Sequence, residues 1–93
     1  MVIATVRLHP GKDPEYEAAV ARIMPEVRAA NPGIVFYHAA RCREEADTYR
    51  VVEAYADQAA MDRHIGSAAL QASLAGLMPL VAGIEIKLHD AVA

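Results

Sequence analysis

Along this chain the spacing of apolar residues switches from two to three or four and back, and that change of period most restricts what it can fold into. From Val2 to Leu8, the residues Val2, Ala4, Val6 and Leu8 alternate with Ile3, Thr5 and Arg7, a strand pattern with apolar side chains on both faces. HPGKDP turns the chain. Asp13 followed by Pro14 reads as a helix N-cap with proline at the first helical position, and Glu15 and Glu17 sit near the positive end of the helix dipole. The stripe Tyr16, Ala19, Val20, Ile23, Met24 and Val27 then recurs at helical spacing, with Pro25 predicted to bend the helix near Met24. Asn31-Pro32-Gly33 stops it, because glycine adopts the left-handed backbone and proline cannot continue the helical bonding.

Two further strands are predicted over residues 34–42 and 49–56, joined as a hairpin by the polar turn Arg43 to Thr48. Asp57 can cap a short helix reaching Ile65, and Ser67 can cap another with the stripe Leu70, Leu74, Leu77, Met78 and Val81. GIEIKLH closes the chain as a fourth strand, with Ile84, Ile86 and Leu88 on one face. The order strand, helix, strand, strand, helix, strand is the ferredoxin-like α+β arrangement: an antiparallel four-stranded sheet with helices on one face, here as one domain over residues 1–93. The other face also carries apolar residues, since Phe36 lies opposite Val35 and Tyr37, and Val52 opposite Val51. A second copy's sheet is the simplest cover, so a homodimer is expected, its two sheets packed into a barrel with Val, Ala and Phe side chains between them.

Charge and composition narrow the function. The net charge of -3 comes from 12 acidic and 9 basic residues without a basic stripe, so nucleic acid is not an expected partner. No apolar run reaches the ~20 residues of a membrane span, and the alternating N-terminus MVIATVRLH lacks the form of a secretion signal. A cytoplasmic protein without membrane contact is the expectation. Its single cysteine, Cys42, excludes an internal disulfide, and His9, His38 and His89 share no ligand spacing, so no metal site is expected.

Glu53 and His64 stand out, each polar where an apolar side chain would fit the local pattern. Glu53 and Tyr55 are two apart on one strand and so project to one face, their Cα atoms roughly 6.5–7 Å apart. His64 shares a helix side with Met61 and Ile65, which turns it toward the sheet, and Tyr16 can face the same space. A carboxylate, a phenol and an imidazole converging in an apolar pocket is the usual form of a small-molecule site. The blander alternative is a buried Glu53–His64 pair that only anchors a helix to the sheet. Arg7 is left open between pairing with Glu53, meeting the partner copy and facing water.

With these residues in view, the chain resembles the antibiotic biosynthesis monooxygenases, small dimeric α+β barrels that include cofactor-independent, quinol-forming oxygenases. The resemblance spans nearly the whole chain and rests on VIATVRLHPGK, on NPGIVFY, and on EAY followed by the helix MDRHIGSAAL. Glu53, Tyr55, His64 and Ser67 match the family's pattern, while Ala69 stands where a second helix histidine is common. It implies an oxygenase using dioxygen on a hydroquinone or polyhydroxy-aromatic small molecule, with no cofactor. His64 would be the base, since imidazole titrates nearest neutrality, with Glu53 orienting its ring and Tyr55 donating to a developing oxyanion. Tyr16, Met61, Ser67 and Leu74 would contact substrate. Two alternatives on the same fold are a binding module, with the pocket closed by Met61, Leu70, Leu74 and Met78, and an isomerase of a keto or phosphorylated substrate. The isomerase would need cations at the pocket, for which Arg7, Arg41 and Arg63 are the candidates. Haem degradation fits less well, because those relatives use a first-strand asparagine and a helix tryptophan, and this chain has Ala4 and Thr5 on that strand and no tryptophan.

Overall fold

The segments of period two become four strands, and those of helical period pack on one side of them. A computed structural model describes residues 1–93. It contains β1 (Val2–Leu8), α1 (Asp13–Ala30), β2 (Ile34–Arg41), β3 (Thr48–Tyr55), α2 (Gln58–Ile65), α3 (Ala68–Leu77), a 3₁₀ turn (Met78–Leu80) and β4 (Val81–Leu88). The strands form one antiparallel sheet in the order β2-β3-β1-β4, the ferredoxin-like arrangement expected.

Register decides which side chains share a face. On the helix side one row runs Tyr37, Glu53, Val2, Leu88, and the next runs Ala39, Val51, Ala4, Ile86. The opposite side carries Phe36, Ala54, Val52 and Ile3 toward one end, and Thr5, Arg7, Arg50 and Glu85 toward the other. Arg7 and Glu53 therefore lie on opposite faces and cannot pair. The uncovered face is a mixed surface, apolar at one end and charged at the other, where the sequence suggested mainly Val, Ala and Phe.

Two small clusters hold α1 on the sheet. Val6, Leu8, Tyr16, Tyr49 and Val81 form one, and Ile23, Val27 and Tyr37 the other. Burying each such side chain contributes roughly 1.5–3 kcal/mol. Only 12 of 93 residues are buried; α2 contributes Ala60 and His64 and α3 none.

Two local expectations change. Asp13 is the first residue of α1 and not its N-cap; Lys12 holds that place without a side-chain cap bond, while the Asp13 carboxylate accepts a hydrogen bond from the Tyr49 hydroxyl at 3.0 Å. The same hydroxyl lies 2.5 Å from Glu17 Oε2, so Asp13 and Glu17 share one phenol proton. Val81, placed above on a helical stripe, begins β4 and pairs with Leu8 across a register shift. Pro25 does lie inside one continuous helix, as expected, and both Pro25 and Ala21, whose carbonyl it leaves free, face solvent.

Candidate active site

The seat of α2 begins at the Asn31-Pro32-Gly33 turn. A Cβ built on Gly33 would fall 2.5 Å from the Cβ of Ala60, so only glycine allows the helix to lie this close. The amide of Ala56 donates to the Gly33 carbonyl at 2.8 Å, which ties the end of β3 to the same turn. Asp57 then caps α2, its side chain accepting from the Ala60 amide at 2.8 Å, as expected from the sequence. Docked in this way, α2 points His64 inward, and only 2% of that residue remains exposed.

His64 Nε2 lies 3.5 Å from Glu53 Oε1. That is longer than a well-formed hydrogen bond but close enough for a charged pair. Glu53 is flanked by phenols: Tyr37 is its cross-strand neighbour on β2, and Tyr55 is two residues along β3. Burial, followed by the Glu53 carboxylate, pushes both phenols well above the ordinary tyrosine range, so both stay protonated donors at neutral pH. The His64 ring meets Tyr37 edge-on at 5.6 Å between centroids and Tyr55 at 5.7 Å. His64 Nδ1 and the Tyr55 hydroxyl are both buried and have no hydrogen-bond partner. An unpaired imidazole nitrogen and an unpaired phenol beside it are costly in a core that serves packing alone.

This cluster forms one end of a cavity of about 330 Å³ between the helices and the sheet, within the size range of small-molecule sites. Its floor is Val2, Ala4 and Val51, its α1 wall Tyr16, Val20, Ile23 and Met24, and its far side Leu70, Leu74, Leu77 and Met78 with Ile84, Ile86 and Leu88 of β4. Of the residues expected at the site, His64, Glu53, Tyr16 and Leu74 line this cavity. Tyr16 also stacks on Tyr49, with ring centroids 4.7 Å apart. Tyr55 is not part of the lining; it touches His64 from behind. Met61 is half-buried outside it, and Ser67 joins α2 to α3: its hydroxyl donates to the His64 carbonyl at 2.8 Å and accepts from the Leu70 amide at 3.1 Å.

Tyr37 is the residue that sequence reasoning overlooked. Its place beside Glu53 depends on a register with Arg41 opposite Tyr49, which the expected bounds 34–42 and 49–56 leave open by one residue. None of the three candidate arginines reaches the cavity. Arg7 lies on the other face, Arg41 is bound to Glu17, and Arg63 approaches Gly33.

Comparison with known proteins bears on this geometry. The model of the antibiotic biosynthesis monooxygenase family matches residues 1–75. The chain belongs to this family. A crystal structure from Caulobacter crescentus, assigned to the antibiotic biosynthesis monooxygenases, is 33% identical with TM-score 0.91, covering 99% of this chain and 88% of that one. A protein of Shewanella oneidensis is 29% identical with TM-score 0.81, covering 92% of this chain and 84% of that one. SnoaB, a cofactor-independent oxygenase from Streptomyces nogalater, shares the fold at 22% identity and TM-score 0.83, covering 99% of this chain and 91% of its own. No curated protein is significantly similar in sequence. No helix is long and apolar enough to cross a membrane.

Proposed function

We propose that the protein is a monooxygenase that inserts oxygen from dioxygen into a hydroquinone or polyhydroxy-aromatic substrate without metal, haem or flavin, acting as a cytoplasmic homodimer. The observation that carries this reading is a cavity with apolar walls whose only titratable base pair, His64 and Glu53, sits at one end beside two protonated phenols. The fold shared with SnoaB, itself a cofactor-independent oxygenase, supports the reaction class.

In this mechanism the substrate ring lies over Val2 and Ala4 with one hydroxyl against His64 Nε2, on the cavity side of the His64–Glu53 contact. His64 takes the hydroxyl proton at Nε2, and the imidazolium so formed pairs with the Glu53 carboxylate, shortening the 3.5 Å contact. The Tyr55 ring packs beside the imidazole, with centroids 5.7 Å apart, and Tyr37, which lines the cavity, donates to the oxyanion left on the substrate. Tyr37 thus takes the role that the resemblance gave to Tyr55. The electron-rich anion reduces dioxygen directly. One oxygen atom enters the ring and the other leaves as water, with the substrate supplying all four electrons. Low polarity around the anion keeps its charge available for this transfer.

The test is oxygen uptake by chelator-treated, colourless protein with a panel of dihydroxynaphthalenes and anthrones, comparing the native chain with His64→Ala. Loss of the base lowers the rate by about 10²–10⁴-fold. Uptake equally fast in the variant removes His64 from the mechanism, and uptake only after adding flavin or iron refutes the cofactor-free reading.

A further inference from the structure

We infer that the ligand of this cavity is an uncharged molecule, polar at one end only, that carries an alkyl arm reaching between α3 and β4 to the edge of the sheet. The inference rests on the cavity being the substrate site, as proposed above, but not on the oxygen chemistry.

The row Tyr37, Glu53, Val2, Leu88 sets the dimensions. Glu53 and Leu88 are separated by β1, which places them about 10 Å apart across the sheet. A ring bound at Glu53 and His64 covers Val2 and stops short of β4. Yet the β4 side chains belong to the same cavity, and Ile86 and Leu88 are 65% and 67% exposed. Across from them Met78 is 52% exposed. The gap stays open because α3 has no buried residue and packs on α1 more than on any strand. From Ile84 to Leu88 this apolar edge extends about 13 Å, the reach of a medium-length alkyl chain. A bare ring would leave it in water, whereas an arm continuous with the ring covers it.

The charge of the ligand follows from what the walls lack. No lysine or arginine lines the cavity, and the charged side chain at its polar end is a carboxylate. A sulfonate, phosphate or carboxylate at the ring end of the ligand would lie near Glu53 with no lysine or arginine to pair it, which is strongly disfavoured.

Binding of a series of alkyl naphthoquinones, from methyl to octyl, tests the arm on the full chain by calorimetry. The oxidised rings do not turn over, so binding is read separately from oxygen uptake. Affinity should tighten about three- to fourfold per methylene until the edge is passed. Leu88→Asp, with its fold checked by circular dichroism, should flatten the longer end of the series. A ring-sulfonated naphthoquinone should bind at least about tenfold more weakly than its neutral parent. A flat series in the native protein, as when a second copy covers the β4 edge, overturns the inference while leaving oxygen uptake untouched. So does equal binding of the sulfonate, or no binding by any member. Absent oxygen uptake with the chain-length trend intact refutes the oxygenase reading alone.

Discussion

Gly33→Ala tests how the site is held. The new Cβ would lie 2.5 Å from the Cβ of Ala60, while carbon atoms in good contact need about 3.5–4.0 Å. Arg63 Nη2, at 3.4 Å, closes one side of the escape route. Relief therefore requires α2 to move away from the turn by about 1 Å. His64 rides on α2, so a contact with Glu53 that is already 3.5 Å would lengthen beyond the reach of a hydrogen bond. Overpacking of this kind costs about 1–3 kcal/mol of stability. A 1 Å displacement of a catalytic group can lower turnover by about 10²-fold. Denaturant unfolding and oxygen uptake measure the two effects in parallel. Ala60→Gly removes the atom that is struck, at a cost of about 1 kcal/mol for a helix glycine. The double variant should then regain the positioning of His64 and most of the lost rate. If Gly33→Ala matches the native chain in both assays, or Ala60→Gly fails to rescue it, the close approach does not set the position of His64.

Alkali should act through the tyrosines. Burial comes first among the causes that raise all four phenols above their ordinary pKa of 10.0, joined by Glu53 at Tyr37 and Tyr55 and by Glu17 at Tyr49. Because the folded values lie above the unfolded ones, this stability is fully present below about pH 10 and falls above it, by up to about 1.4 kcal/mol per pH unit for each phenol. Tyrosinate absorbance should therefore rise only as circular dichroism is lost; full ionisation in a folded chain near pH 10 contradicts it. Val52→Asp, on the uncovered sheet face, should convert the proposed homodimer to monomer in sedimentation, and a native monomer at micromolar concentration removes the dimer. Ala4→Leu, at the cavity floor, should raise stability by about 2 kcal/mol while blocking ligand binding; a loss of stability would show that the void cannot accept the added carbons.

What could be read in the sequence is what depends on neighbours in the chain. Asp57 and Ser67 cap α2 and α3 as predicted, because each side chain bonds a backbone amide three residues away. Asp13 carries the same local signal and fails: Lys12 takes the N-cap place, and the Asp13 carboxylate lies beside Tyr49, 36 residues away. Glu53 and His64 were legible for the opposite reason: a carboxylate in a strand pattern and an imidazole on a helix stripe each break their period and ask for a partner. Tyr37 breaks nothing, because a tyrosine in a strand reads as core. Ser67 matched the family pattern, yet its hydroxyl is taken up by the backbone joining two helices. The cavity is a space that residues do not fill, and it follows from the position of α3 on α1, which no periodicity encodes.

That space also explains why so short a chain keeps polar groups in its interior. With few fully buried residues, filling the region over Val2 and Ala4 would be the direct way to stabilise the domain, and larger side chains at Ala4 would do it. Leaving a cleft of about 330 Å³ unfilled costs a small domain the apolar burial that its walls would otherwise supply. A bound ligand entering between α3 and β4 restores that burial. Ligand binding and folding are then linked: whatever fills the cavity buries the walls of α3 and β4 and offers partners to the polar groups around His64. The native chain should accordingly gain more stability from a ligand than its own packing supplies in that region, which is the arrangement expected where small floor residues serve binding rather than stability.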